Sequence, residues 1–203
     1  MFQFVRHIQL ARCSTTILLV LSTIYSIQAQ SNRDSLIIKP LPNAYGQIVD
    51  PTVNADSALV FIFTNHRCLY SKLYIERLND LNDEMSTRGV KLVAIESKIS
   101  SLENTTTSLD NYLKSASIGF TYLIDLDNEI AKSFNAKSSP QAFLLVRKGN
   151  DFEIVYQGSI DNNSRKPDRV TRFYLKDAIE QLLAGQEIKY NKAKAIGCDL
   201  RGD

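Results

Sequence analysis

The fold is decided by one stretch, LVFIFTNHRCLYSK, which occupies residues 59–72. Its five apolar residues, 59–63, indicate a strand that is buried on both faces. A polar turn follows at residues 64–67, and Cys68 stands at the beginning of a helical pattern. Unpaired N–H groups and the helix dipole stabilise negative charge at such a position, and this favours the thiolate form of a cysteine. The stretch therefore predicts a cysteine where thiol chemistry is favoured.

The composition is that of a globular protein with a neutral body. The chain has 203 residues, of which 44% are hydrophobic, and this predicts a domain with a real core. Residues 1–29 contain Arg6 and Arg12 but no acidic residue, so the remaining residues hold 24 − 2 = 22 basic and 22 acidic side chains. A net charge of zero argues against a nucleic-acid partner.

Residues 1–29 have the pattern of a secretory signal peptide, with basic residues, an apolar run from Thr15 to Ile24, and Ala29 at a cleavage site. We therefore expect an exported protein, periplasmic or extracellular, with no membrane contact beyond this segment. Cys13 leaves with the signal, so Cys68 and Cys198 are the cysteines of the mature protein. A disulfide between them is possible in an oxidising compartment. An uncleaved membrane anchor is the alternative interpretation of the segment.

The rest of the chain predicts an α/β domain. Residues 30–58 are a turn-rich lead-in segment, residues 59–185 the domain, and residues 186–203 a C-terminal tail. Helices between the first strands predict parallel pairing, and Gly149 in a turn predicts a final antiparallel hairpin. The fold class is a single domain with a central mixed sheet of about five strands and helices on both faces. The predicted strands are 59–63, 90–95, 120–124, 141–146 and 152–157, with a short edge strand at 36–38; the predicted helices run from Leu69 through Met85 and over 108–117, 127–134 and 171–183, the last with Phe173, Ala178 and Leu182 as its apolar side.

The order of several motifs resembles the thioredoxin superfamily, specifically its exported alkyl hydroperoxide reductase/thiol-specific antioxidant (redoxin) branch. The resemblance runs from about residue 40 to the end of the chain. It implies a thioredoxin-like fold and a cis proline at Pro140 that faces the active-site cysteine. The stretches that carry it are 63–72, Ser139-Pro140, 156–162, 170–172 with 183–185, and 194–198.

The departures from that family concern the chemistry itself. In the resembling subfamily the active-site turn is Thr-Cys-Asn-His-Cys-Pro-Tyr, whereas this chain has Asn65 at the first cysteine and Leu69 at the proline. The first cysteine of such a pair attacks the substrate disulfide and the second resolves the mixed disulfide. Dithiol exchange through this turn is therefore lost. The site residues we select are Cys68, Cys198, Asn65 and Pro140.

Three hypotheses remain open for the chemistry of this site. A thiol peroxidase would use Cys68 as the peroxide-reactive thiol and Cys198 to resolve its sulfenic acid. A non-catalytic binding or scaffold protein would keep Cys68 as a buried residue or in a structural disulfide with Cys198. A metal site would use His66 with the two thiols, although their spacing is unusual for one. We expect no cofactor and no metal, and a partner that is a thiol or disulfide protein or a peroxide. Whether the chain is an enzyme is left open.

Overall fold

A computed structural model describes residues 36–97 and 102–201, with the backbone alone for residues 102–107. The predicted signal peptide lies outside the described residues. Within them, no helix has the length and apolar character needed to cross a membrane. The strands are β1 (Leu41–Pro42), β2 (Ile48–Val49), β3 (Ala58–Thr64), β4 (Val90–Glu96), β5 (Thr121–Ile124), β6 (Ser138–Ser139), β7 (Gln141–Lys148), β8 (Asp151–Gly158) and β9 (Cys198–Asp199); the helices are α1 (Leu69–Lys72), α2 (Ile75–Ser86), α3 (Leu102–Ala116), α4 (Glu129–Ser133) and α5 (Tyr174–Leu183), with a 3₁₀ turn at Pro167–Arg169.

A five-stranded mixed sheet in the order β5-β4-β3-β7-β8 forms the centre of the domain. The central strand β3 pairs in parallel with β4, which pairs in parallel with β5. On its other side β3 pairs antiparallel with β7, and β7 and β8 form the antiparallel hairpin. Every residue of β3 is buried, as its continuous apolar run predicts. The predicted parallel strands and final hairpin are confirmed.

A hydrophobic core lies on each face of the sheet. Alternate residues of each strand point to opposite faces and contribute to both cores. Val60 and Ile62 of β3 face a core that includes buried residues of α2, α3 and α5. Phe61 and Phe63 face the other core, where each ring centroid lies 5.4 Å from that of Phe134, just after α4. The predicted fold class, a thioredoxin-like α/β domain with helices on both faces, is confirmed.

Two local predictions at the start of the domain are wrong. Residues 36–38 form no strand, since the backbone N–H of Ile37 donates to the side chain of Ser133 (3.1 Å), and regular pairing begins only at Leu41. The helix expected to run on from Leu69 is divided into α1 and α2. Leu73 lies at the break and is 38% exposed, so it does not belong to the apolar stripe of the helix.

The last helix begins at Tyr174, three residues later than predicted. The reason is Asn162, whose side-chain oxygen accepts the N–H groups of Thr171 and Arg172 (3.0 and 3.2 Å) and holds these residues outside the helix. Phe173, predicted on the apolar side, is 47% exposed. The buried face consists instead of Leu175, Ala178 and Ile179. At the other boundary that differs, α3 begins at Leu102, six residues before the predicted start.

Candidate redox site

Cys68 and Cys198 are joined in a disulfide. Cys68 is the N-cap residue of α1 and is 4% exposed, whereas Cys198 is half-buried in β9 of the tail. Their Cα atoms lie 6.0 Å apart although 130 positions separate them in sequence. The bond therefore ties the tail to the turn that follows the central strand, and Cys198 is the more exposed of the two residues that it joins.

The tail crosses the site as a short extended strand. In β9, Cys198 pairs antiparallel with Ser139 of β6, and Leu200 donates to the carbonyl oxygen of Lys137 (3.0 Å). A Cβ atom on Gly197 would lie 2.1 Å from the Ser139 carbonyl oxygen, a backbone atom that cannot move away alone. Glycine at position 197 is therefore required for this close approach of the two backbones.

Pro140 follows β6 and has a cis peptide bond with Ser139. The Sγ atom of Cys68 lies 3.1 Å from the Ser139 carbonyl oxygen, and the hydroxyls of Ser139 and Ser71 lie 2.7 Å apart. When the disulfide is reduced, a Cys68 thiol can donate its S–H to that carbonyl oxygen. The same carbonyl oxygen offers no hydrogen bond to a thiolate.

Asn65 stabilises the turn at the position where related redox proteins carry their attacking cysteine. Its side-chain amide donates to the Ser97 carbonyl oxygen (2.9 Å), and its side-chain oxygen accepts the N–H of Arg67 (3.0 Å). The backbone N–H of Cys68 donates to the Asn65 carbonyl oxygen (2.9 Å). These bonds make residue 65 a structural element of the turn that presents Cys68.

A buried hydrogen-bond network lies behind this turn, and the sequence did not predict it. Glu96 is 0% exposed and accepts the backbone N–H of His66 (3.0 Å), while His66 Nδ1 lies 2.8 Å from its carboxylate. His66 Nε2 lies 2.9 Å from the Ser108 hydroxyl, and the Tyr122 hydroxyl donates to Glu96. Burial and the Glu96 charge raise the pKa of Tyr122 well above its ordinary value, so this donor stays protonated. The one signal in the sequence is the carboxylate of Glu96, which directly follows the apolar run 92–95.

His66, the residue on which the metal hypothesis depends, belongs to this network. Both ring nitrogens of His66 have partners, and the sulfurs of Cys68 and Cys198 are bonded to each other. In the part of the chain that the structure describes, no group of three histidine, cysteine, aspartate or glutamate side chains could hold a metal ion.

A second buried carboxylate lies beside the site. Asp161 is 3% exposed and accepts bonds from the Tyr74 hydroxyl (2.8 Å), the backbone N–H of Asn163 (2.8 Å) and the Arg77 guanidinium. Burial, with a smaller contribution from Asp161, raises the pKa of Tyr74. This cluster fixes the loop after β8 against α2. Asp161 was not predicted, because nothing in the sequence connects it with an arginine 84 positions away.

Two solved structures resemble the chain over most of its length. A hypothetical protein from Sinorhizobium meliloti 1021 is 26% identical with a TM-score of 0.71, and the match covers 83% of this chain and 93% of the other. A conserved uncharacterized protein from Geobacillus kaustophilus is 25% identical with a TM-score of 0.72, with coverage of 83% and 90%. A putative thiol:disulfide interchange protein DsbE from Chlorobium tepidum (19% identity, TM-score 0.55, coverage 75% and 94%) shares the fold.

The sequence itself carries a family signature. A search of curated proteins found no match to this chain. The pattern of the AhpC/TSA family matches residues 38–154, which is 117 of 203 residues and includes β3, the turn, Cys68 and Pro140. The resemblance noted in the sequence is thereby confirmed at the level of the family, and the chain belongs to the AhpC/TSA family of thioredoxin-fold redoxins.

Proposed function

We propose that this protein performs thiol–disulfide exchange with a thiol or disulfide protein, using Cys68 and Cys198 as its redox pair. The observation that carries the proposal is the disulfide between the turn after β3 and the tail. A long-range cysteine in the tail replaces the nearby cysteine that Asn65 has displaced. The site thus keeps two thiols within bonding distance, which exchange requires.

The exchange proceeds in two balanced steps. A partner thiolate attacks Sγ of Cys198, the more exposed residue of the pair, and a new bond forms as the Cys68–Cys198 bond breaks. The leaving Cys68 thiolate takes up a proton from solvent, and its S–H then donates a hydrogen bond to the Ser139 carbonyl oxygen. A second partner thiolate then attacks the partner sulfur of the mixed disulfide and releases Cys198. The partner is oxidised by two electrons and the protein's disulfide is reduced.

Two single variants test this assignment. In C68S the free thiol is that of Cys198, and in C198S it is that of the buried Cys68. We expect C68S to form a mixed disulfide with oxidised glutathione at least tenfold faster than C198S, measured by intact mass after acid quenching. Equal rates, or a faster C198S, would contradict attack at Cys198. Urea-unfolded samples of both variants, in which the two thiols are equally exposed, are the control.

A peroxidase is less well supported by this geometry. Its thiolate would be that of Cys68, which is 4% exposed in the disulfide-bonded protein and lies in contact with the Ser139 carbonyl oxygen. The reduced protein is treated with one equivalent of hydrogen peroxide, free thiols are then alkylated, and the intact mass of the protein is measured. We expect both thiols to remain alkylatable on the timescale at which free cysteine survives. Rapid loss of two protons, reversed by a reductant, would instead establish the peroxidase.

A binding or scaffold protein is the second candidate, favoured by the loss of the attacking cysteine at Asn65. In that case the disulfide is structural and anchors the tail. The dependence of the reduction rate on dithiothreitol concentration separates the two functions. Exchange at an accessible sulfur gives a rate that rises linearly with dithiothreitol, whereas a structural disulfide that reacts only after unfolding gives a rate that saturates at the unfolding rate.

We also propose that the protein is exported, on the evidence of residues 1–29 alone. A disulfide between Cys68 and Cys198 is compatible with an oxidising compartment. Intact mass of the protein isolated from its native cells tests this proposal. A mass that corresponds to a chain starting near residue 30 would support export, and the full-length mass in the cytosolic fraction would refute it.

A further inference from the structure

A cleft of about 570 Å³ opens beside the disulfide. It lies between the loop after β8, the beginning of α5 and the tail. Tyr70 lines it two residues after Cys68, and Ile196 lines it two residues before Cys198. Clefts of this size are typical of binding sites for small ligands or short peptide segments. A molecule in the cleft would therefore contact residues that lie two positions from each cysteine of the disulfide.

The charge of this cleft is strongly one-sided. Four exposed cations line it, namely Arg165, Arg172, Lys192 and Lys194. Among the residues that the structure describes, no carboxylate lies within ion-pair distance of any of the four. By contrast, six other lysines and arginines with exposed or half-buried side chains in the same part of the chain pair with Asp or Glu. Like charges gathered in one concave surface create a positive potential that attracts anions.

The one carboxylate in the wall of the cleft does not offset this charge. Asp161 is buried and already paired with the guanidinium of Arg77, and it also accepts the Tyr74 hydroxyl. Its negative charge is therefore compensated inside the protein. The positive charge of the four cations is therefore not neutralised by any acidic residue in the described lining of the cleft.

Aromatic rings hold two of these cations in place. Arg165 lies over the ring of Tyr70 at 5.8 Å and donates to its hydroxyl at 3.2 Å. Arg172 lies 5.2 Å from the ring centroid of Tyr190, which packs edge-on against Tyr174 at 6.3 Å. Such contacts restrict the guanidinium groups without neutralising them. Guanidinium groups fixed in this way are suited to bidentate binding of carboxylates.

From these observations we infer that the cleft binds an acidic peptide segment, and that this segment belongs to the thiol partner and lies next to its reacting cysteine. The first part rests on the charge and shape of the cleft alone. The second part rests on the proposed exchange, because only a partner that reaches Cys198 has reason to lie against Tyr70 and Ile196.

A cysteine-free peptide tests the binding without any redox step. The probe is a fluorescein-labelled octapeptide with three glutamates, and its matched control carries three glutamines. Anisotropy titrations with the oxidised protein should give at least tenfold tighter binding of the glutamate peptide, with an affinity that falls as salt rises from 50 to 300 mM. Equal binding of both peptides overturns the inference.

Charge-neutral variants locate the binding. R165Q/R172Q should weaken it at least tenfold, and K192Q/K194Q provides the same test should the first variant misfold. The control R147Q/K148Q removes two exposed cations at the hairpin end of β7, about 20 Å along the strand from the cleft. It should change the affinity less than twofold. An equal loss in the control would mean diffuse attraction and would overturn the inference.

Two further measurements separate the possible failures. Succinate is titrated against the bound peptide, and competition by succinate at the peptide's own concentration would show a site for free small anions and overturn the peptide assignment. The exchange rate of Cys198 is then measured with acidic and neutral cysteine peptides. Equal exchange rates with the acidic and the neutral peptide overturn the inference but not the proposed function. Tight binding of the acidic peptide without exchange supports the binding cleft and refutes the redox role.

Discussion

Replacing Glu96 should destabilise the whole domain and loosen the turn that carries Cys68. In Glu96→Leu, three buried donors lose their acceptor: the backbone N–H of His66, its Nδ1 and the Tyr122 hydroxyl. Each unsatisfied buried donor costs about 1–3 kcal/mol, and breaking one partner of a buried pair costs about 3–5 kcal/mol in measured cases. We therefore expect the free energy of unfolding to fall by about 3–5 kcal/mol, a large part of a typical domain stability of about 5–15 kcal/mol.

Glu96→Gln should be much milder, because the imidazole can change its tautomer. The ring can accept at Nδ1 from the new amide and donate from Nε2 to the Ser108 hydroxyl, while the amide oxygen still accepts from Tyr122 and the backbone. We expect a loss of about 1 kcal/mol. The sharp difference between the two variants is specific to a hydrogen-bond network, since a role in filling space alone would favour leucine.

Urea unfolding at pH 7 measures these effects with the disulfide kept oxidised. The chain has nine tyrosines but no tryptophan, so tryptophan fluorescence cannot follow unfolding. Far-UV circular dichroism, which reports the loss of helices and strands, is used instead. The matched control is Glu84, which pairs with Lys176 at the surface (2.6 Å); its change to Leu or Gln should cost at most about 1 kcal/mol. If Glu96→Leu costs no more than Glu84→Leu, the reasoning about the buried carboxylate is refuted.

Three further changes have definite expected outcomes. Cys198→Ser should lower the free energy of unfolding by up to about 5 kcal/mol, the loop-entropy value for 130 intervening positions, and urea titration of the oxidised protein and the variant measures it. Gly197→Ala should make the disulfide about tenfold easier to reduce in a glutathione redox titration, because its Cβ overlaps the Ser139 carbonyl oxygen; an unchanged midpoint would contradict the close approach. Burial raises the pKa of Asp125 above 3.8, so the folded state binds this proton more tightly than the unfolded state, and the free energy of unfolding falls as pH rises from about 3.8 through the raised pKa. Asp125→Asn should remove that part of the pH dependence, and thermal unfolding between pH 3 and 7 checks it.

Much of the fold could be predicted because its signals are local. The apolar run in β3 requires burial on both faces, and the intervening helices require parallel neighbours, so the buried central strand and the parallel pairing could be predicted. The errors occurred where side chains capture backbone groups. Ser133 takes the N–H of Ile37 in place of a strand partner, and Asn162 takes two N–H groups that would otherwise begin α5. No hydrophobic periodicity reports such bonds.

Motifs select residues for the site, whose functional role stays a prediction, but they do not give the contacts around them. Cys68, Cys198, Asn65 and Pro140 could be selected from motifs, yet the network behind them joins positions 30 to 42 residues apart, as in the bonds of His66 with Glu96 and Ser108. The cationic cleft brings together cations from the loop after β8, the residues just before α5 and the tail. Such arrangements depend on tertiary packing, which single-sequence patterns do not encode.

The long-range disulfide gives the redox state of this site a structural consequence that a neighbouring pair of cysteines lacks. Two cysteines in one helical turn stay close when reduced, because the helix itself holds them. Here Cys198 is held by a two-residue strand pair and by the Leu200 bond to Lys137, contacts that a short exposed segment makes weakly without covalent support. Reduction should therefore release the tail from β6 while the main sheet persists, and faster amide hydrogen exchange confined to the tail on reduction would detect this. Protection of the tail that survives reduction unchanged would show that the backbone pairing alone holds it.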